Sequence, residues 1–232
     1  MLLTSISFPR NLQVKSLKAY SGGDETSLPI IKQNGSSSSK MVIEFDVKST
    51  SVPNMNIVFR FCDKNWDPYS NIFFQNQGKN IAYNLQFTQL PSTVLDANYH
   101  FIGSFPTSKG NVEFPFSGKW RYYLTDTQDT SIVYSRGKFY VVNQDVALFD
   151  SLKDEQLEGK LYFPADLQKV FNITTIFNLP NNFTPSYVDH LEIVENHKID
   201  YPGVIMDEGS REEVAYIENI FRSNGKTGMI LI

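Results

Sequence analysis

The segment KMVIEFDV, residues 40–47, alternates: Met41, Ile43, Phe45 and Val47 interleave with Val42, Glu44 and Asp46. A period of two puts the first set on one face of a pleated strand. The pattern returns along the first two thirds of the chain. MNIVFRFC (55–62) places Ile57, Phe59 and Phe61 on one face. LQVKSLKAY (12–20) shows Leu12 and Val14, then Leu17 and Ala19 after a one-residue slip. LPII (28–31), NLQFTQL (84–90) and NYHFIGSF (98–105) add short strands. GKWRYYLTD (118–126) and RGKFYVVN (136–143) read as a closing pair joined by a loop at Asp126 to Thr130. Gly22-Gly23-Asp24 reads as a turn and QNGSSSS (33–39) as a flexible loop. With no helical period between these strands, they predict a β-sandwich rather than a parallel α/β sheet.

Composition agrees. The chain holds 18 Phe and 12 Tyr but few Ala, which favours pleated sheets over helices. An apolar fraction of 41% supports a core. A net charge of −4 and a pI near 5.4 argue against a nucleic-acid partner. One cysteine cannot form an internal disulfide. No apolar run is long enough to cross a bilayer, so direct membrane insertion is not expected. MLLTSISFPRN lacks the basic start and full apolar stretch of a secretory leader, so an exported form implies a leader outside this chain.

The charged run DSLKDEQLE (150–158) reads as a linker or a connecting turn. It divides a domain over 12–150 from a second, β-rich one over 151–232. There LYF (161–163), KVFNITTIF (169–177) and YVDHLEIVEN (187–196) resume the strand pattern. SREEVAYIENIF (210–221) fits a helix better, because Ser210 and Glu213 fit a capping box and Val214, Ile217 and Phe221 recur at helical spacing; a strand alternating Ala215, Ile217 and Asn219 is the poorer alternative. The apolar ending MILI suggests that the second domain is the start of something longer.

No residue set carries chemistry well. A nucleophilic Cys62 needs a paired histidine, and His100, His190 and His197 stand in no recognisable context for one. Asp63, Asp67 and Asn71 lack the glycine and closing glutamate of a calcium loop and read as solvated loop groups. Cys62 has no second cysteine for zinc. Glu212 and Glu213 suit a helix start better than a glycosidase pair. The reading is no catalytic residue, no metal and no cofactor. The aromatics of the loop after Cys62 remain. Trp66, Tyr69, Phe73 and Phe74 either trim the core or form a partner anchor or sugar platform.

The order of motifs carries a resemblance. Cys62-Asp63-x-x-Trp66 follows a strand. After an aromatic loop come Tyr99-His100, Phe105-Pro106 and Ser117-Gly118-Lys119-Trp120. With the early Leu28-Pro29-Ile30-Ile31, this resembles the first domain of the plug protein of the type IX secretion system of Bacteroidota. Pro185 to Pro202, with Val188, Ile193 and Glu195-Asn196, is similar to the start of that family's second domain. The loop departs from the family after Trp66, reading Asp67-Pro68-Tyr69-Ser70. The resemblance implies an immunoglobulin-like β-sandwich followed by a partial β domain. It implies a non-enzymatic periplasmic protein, peripheral to the outer membrane. Its partner would be the large outer-membrane β-barrel translocon, whose periplasmic mouth it closes. The partner-binding residues expected are Trp66, Tyr69, Phe73 and Phe74. A carbohydrate-binding β-sandwich module is the alternative.

Overall fold

Residues 12–34, 37–108, 110–143, 146–156, 169–178, 190–195, 198–200, 202–205, 215–221 and 228–231 are described in the computed structural model of the chain. The chain is mostly β and divides into two units between Val142 and Asn143.

The first unit contains β1 (Gln13–Ser21), β2 (Ile30–Asn34), β3 (Ser37–Ser38), β4 (Met41–Lys48) and β5 (Met55–Cys62). After these come β6 (Ile81–Ala82), β7 (Phe87–Gln89), β8 (Tyr99–Phe105), β9 (Gly118–Asp126) and β10 (Val133–Asn143). One sheet has the order β1-β4-β8-β7 and the other β3-β2-β10-β9-β5-β6. In chain order these are the A-B-E-D and G-F-C sheets of an immunoglobulin-like sandwich, with β2 beside the G-equivalent strand β10. The fully buried tryptophan, Trp120, at 0% exposure, stands on the F-equivalent strand β9.

The alternation of 40–47 becomes β4 as the sequence dictates. Met41, Ile43, Phe45 and Val47 are buried, and the residues between them are half-buried. The slip in the first strand is real. The β1–β4 register shifts between Lys15 and Lys18, and Ser16 takes φ 51°. This bulge re-aims the strand, so that Val14, Leu17 and Ala19 all pack against the core. Within the stretch expected to be a flexible loop, Gln33 stands opposite Ser38 and Asn34 opposite Ser37 in antiparallel pairing.

Aromatic rings join the two sheets. Phe59 of β5 meets Phe105 of β8 across the sandwich, with ring centroids 5.0 Å apart. It also meets Phe114 at 5.1 Å and Phe139 of β10 at 6.0 Å, both edge to face. Phe45 and Phe101 stack at 4.8 Å on the facing sheet. Each such ring contributes roughly 1.5–3 kcal/mol through burial. Inward positions of β5 and β9 serve this core; Asn56, Val58, Arg60, Cys62, Lys119, Arg121, Tyr123 and Thr125 alternate to the opposite face.

The second unit contains β11 (Ala147–Gln156), β12 (Lys169–Asn178), β13 (Leu191–Glu195), β14 (Gly203–Ile205), β15 (Ala215–Phe221) and β16 (Gly228–Leu231). They form two three-stranded sheets, β11-β12-β15 and β14-β13-β16. Strand β11 runs through residues 150–156, where charge suggested a connection, with Asp150 opposite Thr175 and Gln156 opposite Lys169. Residues 215–221 are a strand, not the expected helix. Seven consecutive partners on β12, from Phe177↔Ala215 to Phe171↔Phe221, satisfy its backbone through non-local pairing, and this overrides the local helical spacing. The capping-box residues Ser210 and Glu213, and LYF at 161–163, lie outside the described residues.

Gly137 of β10 lies opposite Tyr122 of β9, whose ring covers it. A Cβ there would sit 2.2 Å from the Tyr122 hydroxyl oxygen and 2.3 Å from the ring. Gly137→Ala should therefore destabilise the sandwich by about 1–3 kcal/mol through overpacking, read as a lower urea midpoint at unchanged slope.

Candidate functional site

The loop after β5 begins with a tight reversal. Asp63 donates its N–H to the Asp67 carbonyl at 2.9 Å, and its own carbonyl accepts from Trp66 N–H at 3.0 Å. Its carboxylate accepts from the N–H groups of Asn65 at 2.9 Å and Asp67 at 2.8 Å. Trp66 then takes φ 69°, a left-handed conformation that costs a non-glycine residue about 1–2 kcal/mol. Together these turn the chain back, so that Cys62 and Pro68 form a bridge and Tyr69 N–H reaches the Phe61 carbonyl at 3.0 Å. The Cys-Asp-x-x-Trp step is thus a turn with its own carboxylate clamp.

The reversal lays Trp66 on the outer face of the β5–β9–β10 sheet, away from the inter-sheet core. Its ring packs edge to face on Tyr140 at 5.0 Å. The ammonium groups of Lys138 and Lys119 lie 4.7 and 5.3 Å from the ring centroid. Such cation–π contacts and the burial of the indole offset the backbone strain. At 6% exposure Trp66 is packed down over Tyr140, with almost no surface left for a partner.

Cys62 is buried at the end of β5, and its Sγ lies 3.5 Å from the Arg60 carbonyl oxygen. Burial pushes the thiol pKa up to about 11, outweighing the downward pull of Arg121. That is the opposite of what an activated nucleophile needs. The family-like Tyr99-His100 step is also accounted for by packing. His100 Nδ1 lies 2.9 Å from Asp46 Oδ1, and its Nε2 lies 3.8 Å from Glu44 Oε1. Tyr20 donates to Glu44 at 2.9 Å, tying β1, β4 and β8 together on their outer face. Among the described residues no group of three or more His, Cys, Asp or Glu is placed to hold a metal ion. No helix among them is long and apolar enough to cross a membrane.

The other three candidate residues gather at the end of the sandwich. Tyr69 stacks on Phe61 at 5.4 Å, and Phe74 packs against Tyr69 at 4.8 Å and Phe116 at 5.5 Å. Phe61 and Phe116 border the main core, so Tyr69 and Phe74 are wedged between core and solvent. Phe73 differs: it is 80% exposed, and its neighbour Ile72 is 57% exposed. Both sit on a 3₁₀ turn, Ile72–Gln75. Asn71 caps it by accepting from Phe73 N–H at 3.0 Å, and Asn76 ends it in the left-handed conformation at φ 46°. The segment is tied down at Asn76, whose Nδ2 donates to the Glu113 carbonyl at 3.0 Å, and at Lys79, whose ammonium meets the Glu113 carboxylate at 2.8 Å. Sequence reading picked Phe73 and missed Ile72; the signal was Asn71, a good cap directly before an apolar run.

No protein-family model matches the sequence, and no curated protein does. Among solved structures, the chain is similar to the crystal structure of a hypothetical protein from Parabacteroides merdae ATCC 43184. The TM-score is 0.71 at 16% identity, over 97% of this chain and 54% of that one. The chain thus spans about half the length of that structure. At this identity the likeness concerns the fold.

Cys62→Ala should cost about 1–2 kcal/mol in stability and leave every interaction of the protein intact. The thiol should alkylate slowly at pH 9 in the native protein and rapidly after unfolding. Because its folded pKa of about 11 lies above the ordinary 9.0, its contribution to stability is full below pH 9 and is lost as pH rises toward 11. Rapid native alkylation at pH 9 would contradict this burial.

Proposed function

We propose that the chain is a non-enzymatic plug that closes the periplasmic mouth of the outer-membrane β-barrel translocon of type IX secretion. The observation that carries the reading is the capped turn that holds Ile72 and Phe73 outward on a wedged aromatic base. Two large apolar groups on a braced turn suit a partner contact, because rigid anchors lose little conformational freedom on binding. The order of sequence motifs, from Cys62-Asp63 to Gly118-Lys119-Trp120, resembles that of the plug family and on that ground supports the translocon as the partner. A wide barrel leaks unless covered, and a rigid sandwich with loops at one end makes a suitable stopper. The work is steric and reversible, so it asks nothing of Cys62 or His100.

A carbohydrate module is less well served by this surface. Sugar stacking needs flat, open rings, but the Tyr69 and Phe74 planes are inclined by 35° to one another and rest on Phe61.

Replacing Ile72 and Phe73 together by serine should weaken capture of the barrel from outer-membrane extract by about 30- to 1,000-fold, that is about 2–4 kcal/mol, with the melting transition unchanged. Capture at wild-type strength would move the contact elsewhere. Binding of an oligosaccharide by the wild type, lost in the variant, would replace the plug reading with the carbohydrate one.

A further inference from the structure

A row of cations crosses the outer face of the β5–β9–β10 sheet. Arg60 of β5 lies directly opposite Arg121 of β9, and Arg121 directly opposite Lys138 of β10. Like charges in direct cross-strand register are destabilising. A threonine or glutamate at any of the three places would relieve the repulsion. Instead, in a chain with 25 acidic and 21 basic residues, three bases stand side by side. Among the described residues neither Arg60 nor Arg121 makes an ion pair with a carboxylate. Burial lowers the Arg60 pKa from its ordinary value, and the only group opposing that shift is the Tyr123 phenol. An arginine so placed still carries its charge at neutral pH, half desolvated and without a counter-ion.

The surroundings give the row a shape. On one side lie Cys62, Lys119 and Tyr140, the last covered by Trp66. On the other, two residues along each strand, lie Val58, Tyr123 and Arg136. Strands are about 4.7–4.9 Å apart, so the row of three spans about 10 Å, with Trp66 and Tyr140 on one side of it and Tyr123 on the other.

We propose that this trough binds an acidic peptide segment, two of whose carboxylates are taken by the Arg60 and Arg121 guanidinium groups. Guanidinium forks match carboxylates in paired hydrogen bonds, and the partial burial strengthens them. A short segment fits better than a nucleic acid. Lys119 and Arg136 stand on the same face beside the row, but a polyanion extending beyond this patch meets the field of a net-negative protein. This face is separate from the Ile72–Phe73 turn, and the inference does not rest on the translocon reading.

The test uses the whole chain and a fluorescein-labelled octapeptide of alternating Glu and Ser, followed by fluorescence anisotropy. The wild type should bind it, and affinity should fall as salt rises from about 20 to about 200 mM. Arg121→Gln and Arg60→Gln should each weaken binding by about tenfold or more. Arg121→Gln should also melt at or above the wild-type temperature, because it removes a like-charge contact. Lys15→Gln, on the opposite sheet, and the Ile72/Phe73 serine variant should bind like the wild type. No binding by the wild type overturns the proposal, as does salt-independent binding or full retention by both arginine variants. Tighter binding of an oligo-dT of equal charge also overturns it, in favour of a general polyanion site.

Discussion

Phe59 is the point through which the sandwich is held. It stands at the middle of β5, fully buried, and touches Phe105 on the facing sheet, Phe114 on the crossing loop and Phe139 on its own sheet. Removing its ring would leave a cavity with aromatic walls on three sides, too rigid to collapse, at a cost of about 3–5 kcal/mol. Both faces of β5 depend on this anchoring. Its inward residues continue to Phe61, on which the loop aromatics rest. Its outward residues carry Arg60 and Cys62 to the opposite surface.

The loop from 63 to 80 is therefore held at several points. Asp63 closes its first turn, Trp66 presses it onto the outer face, Tyr69 and Phe74 seat on Phe61, and Asn76 and Lys79 fasten it to Glu113. These ties explain how a stretch rich in polar residues can present Ile72 and Phe73 to water without folding them inward. The capped turn fixes the direction of both side chains, and the wedged pair below fills the space that they would otherwise enter.

Much of this was legible in the sequence, for a physical reason. A strand with one buried face must alternate, so β4, β5, β8 and β9 announce themselves, and even the Ser16 bulge appears as a slip in the pattern. What was hidden depends on distant partners. Ile217 and Phe221 have helical spacing, against a weaker alternation of Ala215, Ile217 and Asn219, and only the full set of partners on β12 decides for the strand. Trp66 could be core or surface from sequence, because the left-handed turn decides where it points. Asp63 read as a solvated acid; that its oxygen accepts two backbone N–H groups follows only from the turn it makes. The row of Arg60, Arg121 and Lys138 was likewise invisible. The three are scattered in sequence and become neighbours only through the strand register.

That register places two different kinds of surface on one domain. The Ile72–Phe73 turn is apolar and projects from the sandwich end, where binding would gain by removing large groups from water. The Arg60–Arg121 row is charged and lies on the outer face of the sheet, where binding would gain by neutralising a repulsion built into the fold. The two respond oppositely to salt. Screening weakens an ionic contact, while excluded salts such as sulfate strengthen an apolar one. A partner engaging only the turn would hold in high sulfate, and one engaging the arginine row would be released. The salt response of a captured partner therefore identifies the surface that holds it.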